Sequence, residues 1–187
     1  MSFNIETVAG NFVGDFKVGD NLVYNTQLLC DLVQANEAGR FNKPIVLQVG
    51  AILEAALSEI IYRAQKNNRE GVPDMSEADR REIEGKKIDK FNSVIDVMRK
   101  YRVLDRLGGG VYGDLHTLRR YRNKVHIQDD VEGASRDEAE VFVDALRDWA
   151  LDLNSRVLRY LGENLMRPPH IRRYVADLPI PVRANRA

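Results

Sequence analysis

The chain has 187 residues in which 28 Lys and Arg balance 28 Asp and Glu, so a formal net charge of +0 coexists with a charged fraction of 30%. That balance excludes a uniformly basic coat for nucleic acid, and a hydrophobic content of 44% excludes a disordered chain. Length fits one globular domain, and an aromatic content of only 7% with recurrent Ala, Leu, Arg and Glu favours helices over a strand-rich sandwich.

Residues 1–20 scatter Phe3, Ile5, Val8, Phe12, Val13, Phe16 and Val18 among Gly10, Gly14 and Gly19, which predicts an irregular arm with at most one strand-like or helical turn. From Asp20 the pattern becomes helical: Leu22, Thr26, Leu29, Cys30 and Val33 share a face until Gly39 supplies a stop. Asn42 and Pro44 open a helix over 43–66. Its stripe of Val46, Val49, Leu53, Leu57 and Ile60 is widened by Ile45, Ile52, Ala55 and Ala56 until it nearly encircles the element. Such a helix is expected to be central and buried. Glu54 within it needs a partner, because an unpaired buried carboxylate is costly. The interruptions at Gln48, Glu54, Ser58 and Glu59 argue against a membrane span.

After a polar loop over 67–74, Ser76 followed by acids opens a helical stretch that Gly85 weakens, and a face of Ile88, Phe91, Val94, Ile95, Met98 and Tyr101 follows. The triple glycine at 108–110 reads as a connector, since it lacks the Lys-Ser/Thr of a P-loop. A helix over 112–127 and an acidic loop over 129–133 lead to a long last helix capped by Ser135, which carries Phe142, Leu146, Trp149, Leu153, Val157 and Tyr160. Beyond Gly162, the prolines Pro168, Pro169, Pro179 and Pro181 predict an extended or loosely docked tail. The expected architecture is all-α: an up-and-down bundle of four or five helices within residues 1–166, with an irregular N-terminal arm and an extended C-terminal tail over 167–187. The start has no basic-then-apolar secretory layout and a lone Cys30 forms no intramolecular disulfide, so a reducing, cytoplasmic setting with no membrane is expected.

The chemistry concentrates in LHTLRRYRNKVHI, residues 115–127. On a helical wheel Val111, Leu118 and Val125 form an apolar stripe, and Arg122, His126, Arg119, Asn123 and His116 lie beside it within an arc of about 120°. Arg120, Lys124 and Thr117 fall on the outer side. An imidazole titrates near neutral pH, so His126 is suited to take a proton from a ribose hydroxyl or return one to a leaving oxygen. Arg122 or Arg119, always protonated, would stabilise charge building at a phosphoryl centre, and Asn123 would orient either group. Lys124 and His116 are candidate substrate contacts, although His116 also reads as a boundary histidine. The set suits metal-independent cleavage of RNA. The same residues fit a structural ion-pair network with acids such as Glu54 or those at 129–132, and a salt bridge from Glu54 to the Arg122 region suits both readings. His116, His126 and His170 come with no Cys pair, so no metal or cofactor is expected.

Arg122-Asn123-Lys124-Val125-His126, late in a small helical chain, resembles the motif of the HEPN superfamily (higher eukaryotes and prokaryotes nucleotide-binding). The earlier helix VGAILEAALSEII, with Glu54 in an apolar context, is similar to the family's earlier helix. The resemblance spans about residues 43–162 as helix order and is sharpest over those five residues. It implies a helical bundle acting as a metal-independent endoribonuclease of a toxin or defence type, with its site shared across a homodimer, RNA or a nucleotide as ligand, and an antitoxin-like protein as a further partner. It places Arg122, Asn123 and His126 in the site, with Arg119 as an alternative arginine. The family pattern separates Arg from His by four to six residues. Arg122 has three and Arg119 has six, so both arginines stay open for the role. A catalytically inactive bundle of the same kind, binding nucleotide, RNA or a protein, is the competing expectation.

Overall fold

The computed structural model describes residues 3–14, 17–66, 75–124, 135, 137–169 and 176–184. In chain order its elements are the strand β1 (Phe3–Val8), the helices α1 (Lys17–Gln34), α2 (Asn42–Lys66), α3 (Glu77–Glu84), α4 (Phe91–Lys100), α5 (Val111–Asn123), a single turn α6 (Glu138–Val141) and α7 (Asp144–Asn164), and the strand β2 (Leu178–Arg183). The fold is mostly helical, as composition and periodicity predict, and one small sheet joins its two ends.

α2 is the hub. Val46, Val49, Leu53, Leu57 and Ile60 are fully buried together with Ile45, Ile52 and Ala56, and α1, α3, α4, α5 and α7 all pack on this helix. By length and mean hydropathy, 1.7 over its most apolar window, α2 does reach the level of a membrane span despite its polar interruptions. Its all-round contacts are those of a core helix. The predicted face of α1 is likewise buried, as are Phe91, Val94, Ile95, Met98 and Tyr101 of the next one, whereas Ile88 precedes α4 and is only partly buried. In α1 the Cys30 thiol is pushed up to about 11, by burial first and Asp31 second, which makes it a packing residue rather than a nucleophile.

Two expectations are corrected. The last helix is not continuous from Ser135: the Asp137 carboxylate accepts from Ala139 N at 2.9 Å and caps α6, and the backbone leaves the helix at Phe142 and Val143 before α7 begins. The break turns Phe142 inward, where its ring meets Tyr121 edge-on with centroids 6.3 Å apart. The arm is also more than irregular chain: its strand-like turn and the extended segment expected in the tail are the two strands of one sheet. β1 and β2 pair antiparallel from Phe3↔Arg183 to Val8↔Leu178, with β2 seated on α1 and α7 and β1 outside it. Leu178, Ile180 and Pro181 of β2 are buried. Asp148 of α7 receives Arg147 at 2.7 Å and also Arg183, which ties β2 to α7. Arg167 N donates to Asn11 O at 3.0 Å, so the chain beyond α7 holds the arm in place.

α3 is fastened by charge. Ser76 and Asp79 form a capping box at its start. Glu82 then accepts from Lys100, from Lys86 at 2.8 Å and from Tyr101 at 2.8 Å. These hydrogen bonds, that of Lys100 foremost, lower the Glu82 carboxyl from its ordinary 4.5 to about 2. A carboxyl depressed in the folded state adds stability above its unfolded value and loses it as pH falls through the folded one. The protection of α3 amides, taken relative to their intrinsic exchange at each pH, is therefore expected to fall between about pH 4.5 and 2 before that of the rest of the fold. In Glu82→Gln the helix should lose this acid step, which exchange measured by NMR across that range will read.

Candidate functional site

α5 brings the chemistry-bearing residues to the surface of α2. Val111, Tyr112, Leu115 and Leu118 bury one face of α5 against α2 and α4. The Tyr112 hydroxyl, whose pKa burial raises, accepts from Leu104 N at 3.0 Å and donates to Asp105 Oδ1 at 2.8 Å, fixing the start of the helix. At the other end Gly50 of α2 lies directly beneath Arg122. A Cβ at Gly50 would stand 2.7 Å from both Cβ and Cγ of Arg122, so only glycine permits this approach.

From there the Arg122 guanidinium reaches Glu54, one turn further along α2, in a half-buried ion pair whose side chains are 37% and 22% exposed. Arg122 Nη1 also lies 3.5 Å from Asn123 Oδ1. Arg119, one turn earlier on α5, has a buried Nε that finds no hydrogen-bond partner among the described residues. Arg122, Asn123 and Glu54 are thus brought together, with Arg119 beside them. Two fixed positive charges on one helix edge, one of them only partly neutralised, favour an anion such as phosphate.

His116 stands apart from this cluster. Its Nε2 is 3.4 Å from Asp96 Oδ1 of α4, and Asp96 also accepts from Asn92 at 2.9 Å and Arg99 at 3.0 Å. Burial lowers the His116 pKa, Arg119 and Arg99 add to the effect and Asp96 opposes it. It belongs to the α4–α5 contact, as a boundary histidine does. The placement of Lys124 requires a correction: it does not lie on the outer face but is 3% exposed, with Nζ 3.3 Å from Ser135 O. α5 ends at Asn123, so the helical wheel no longer governs residue 124. His126, Val125, His170 and the acids at 129–132 lie outside the described residues.

Gly50 is the site residue that sequence reasoning passed over. Its signal was a residue without a side chain four places before Glu54 on the same helical face, where a neighbouring backbone can come close. A groove of about 510 Å³ between the sheet and α7, lined by Phe3, Asp148, Trp149, Ser155, Pro181 and Arg183 among others, contains none of the predicted site residues. Among the described residues no group of three or more His, Cys, Asp or Glu is placed to hold a metal ion. The fold and site together define a mostly helical protein with a half-buried arginine–carboxylate pair at a helix edge. No family model, curated protein or solved structure matches the chain.

Proposed function

We propose that the chain is a HEPN-like, metal-independent endoribonuclease of toxin or defence type, cytoplasmic, built on a bundle of antiparallel helices and acting as a homodimer with a composite site. The observation that supports it is the seating of Arg122 on Gly50 and Glu54, with Arg119 one turn away and His126 only two residues beyond Lys124. In this reading His126 takes the proton of a ribose 2′-hydroxyl, whose oxygen attacks the adjacent phosphorus. The bond from phosphorus to the 5′-oxygen breaks, the leaving oxygen regains a proton, and a 2′,3′-cyclic phosphate and a 5′-hydroxyl result. Arg122 or Arg119 holds the charge on the equatorial oxygens, and Asn123 orients the phosphate or the imidazole. Glu54 positions Arg122.

The expected result is cleavage of RNA in EDTA with cyclic phosphate ends. His126→Ala and Arg122→Ala should each lower the rate by about a hundredfold or more, the scale of a lost acid–base or charge-stabilising group. Undiminished cleavage in both variants would remove the assignment. The second reading, an inactive bundle that binds RNA, nucleotide or an antitoxin-like protein, draws on the fact that Glu54 already occupies the Arg122 guanidinium. It requires saturable, Arg119- and Arg122-dependent binding with no cleavage products.

A further inference from the structure

The sheet that joins the chain ends has two unlike edges. Register places Pro179 opposite Thr7 and Pro181 opposite Ile5. A proline nitrogen carries no hydrogen, so neither can exchange paired N–H···O bonds with its opposite residue. The hydrogen-bonded pairs must then be Asn4 with Val182, Glu6 with Ile180 and Val8 with Leu178. It follows that the two prolines face the far side of β2, where they leave no donor for another strand. It follows equally that the N–H and C=O groups of Phe3, Ile5 and Thr7 point away from β2. Among the described residues no backbone hydrogen bond reaches them from elsewhere. Asn4, Ile5, Glu6 and Thr7 are all exposed, Ile5 at 39%.

We propose that this edge of β1 is an interface for a second copy of the chain, joined antiparallel about a two-fold axis through Ile5 to give a four-stranded sheet. The register follows from the side chains. With Ile5 opposite its own copy, Phe3 faces Thr7 of the second copy and Asn4 faces Glu6. These are an aliphatic pair, an aromatic–β-branched pair and an amide–carboxylate pair, each favourable across antiparallel strands. The outward groups of residues 3, 5 and 7 then meet as three narrow pairs carrying about six hydrogen bonds. A register centred on Glu6 would set two carboxylates opposite one another, a repulsion that the pairing of each with Arg159 offsets only in part. Because the proline edge accepts no further strand, pairing stops at two copies instead of running on into a fibre. The interface does not depend on the Arg122 chemistry and would exist in a protein with no ribonuclease activity.

The test is sedimentation equilibrium of the full chain together with amide exchange by NMR at low and high concentration. The wild type should be at least dimeric at micromolar concentration, and larger than a dimer if the composite site pairs copies through a separate face. Its Phe3, Ile5 and Thr7 amides should be protected only at high concentration, while those of Asn4, Glu6 and Val8 are protected at both. Ile5→Pro removes an outward donor without touching the β1–β2 ladder, and Ile5→Lys sets two ammonium groups face to face. Each should weaken association by at least about tenfold, and the lysine variant keeps the test open if the proline variant fails to fold. A wild type that stays monomeric overturns the proposal. So does a dimer whose dissociation constant is unchanged in Ile5→Lys, which would assign association to another face.

Discussion

Arg63→Met is expected to lower the stability of the fold by about 2–5 kcal/mol. Arg63 sits in the last turns of α2 at 1% exposure, and its Nη1 donates to Phe12 O at 3.0 Å and to Leu165 O at 2.7 Å. One guanidinium thereby bridges the N-terminal arm, the central helix and the end of α7. Methionine fills much of the same volume but leaves both buried carbonyls without this donor, at about 1–3 kcal/mol each. For a chain of this size the midpoint of thermal unfolding should fall by roughly 5–15 °C. Lysine should recover only part of the loss, because its ammonium ends one bond short of the place where Nη1 meets both carbonyls and is more costly to bury. Calorimetry decides the magnitude. Exchange of Val13 N–H, bound to Gly10 O, and of Arg167 N–H, bound to Asn11 O, should quicken first if the arm is what Arg63 holds. A midpoint within about 2 °C of the wild type would show that the arm is carried by its apolar packing alone.

The role of Arg63 was hidden in the sequence for a physical reason. An arginine near a helix C-terminus ordinarily reads as a solvated partner of the helix dipole. Its burial depends on Phe12 and Leu165, which lie far from it along the chain. The helical faces were legible because periodicity is local: every residue of the α2 stripe from Val46 to Ile60 is buried, as is the face of α1. The sheet was not. β1 has four consecutive exposed residues instead of a two-residue alternation, and two prolines in β2 argue against a strand unless one edge is already known to be free of partners. In the candidate site, the requirement that Glu54 find a cation was readable from its apolar surroundings, and Arg122 is the cation that meets it. The fate of Lys124 was unreadable, because it turns on where α5 stops, and helix ends are set by contacts beyond the helix itself.

Gly50→Ala ought to be destabilising by about 1–3 kcal/mol, against the trend for a helix interior, where exchanging glycine for alanine ordinarily gains about 1 kcal/mol. The sign reverses because the new methyl would meet Cβ and Cγ of Arg122 at 2.7 Å. These atoms are the root of the side chain and not its flexible end, so relief requires the α5 backbone to move away from α2. Gly113, inside α5 with nothing within 4 Å of the place an added methyl would take, is the control. Gly113→Ala should stabilise by about 0.5–1 kcal/mol. Urea unfolding of the two variants side by side separates helix propensity from the close approach, and a Gly50→Ala protein more stable than the wild type would mean that α5 yields without cost. Because the displaced residue is Arg122 itself, the same variant should also loosen its pairing with Glu54. An accompanying fall in RNA cleavage or binding, absent in Gly113→Ala, would connect the contact of two helices to the chemistry proposed at their edge.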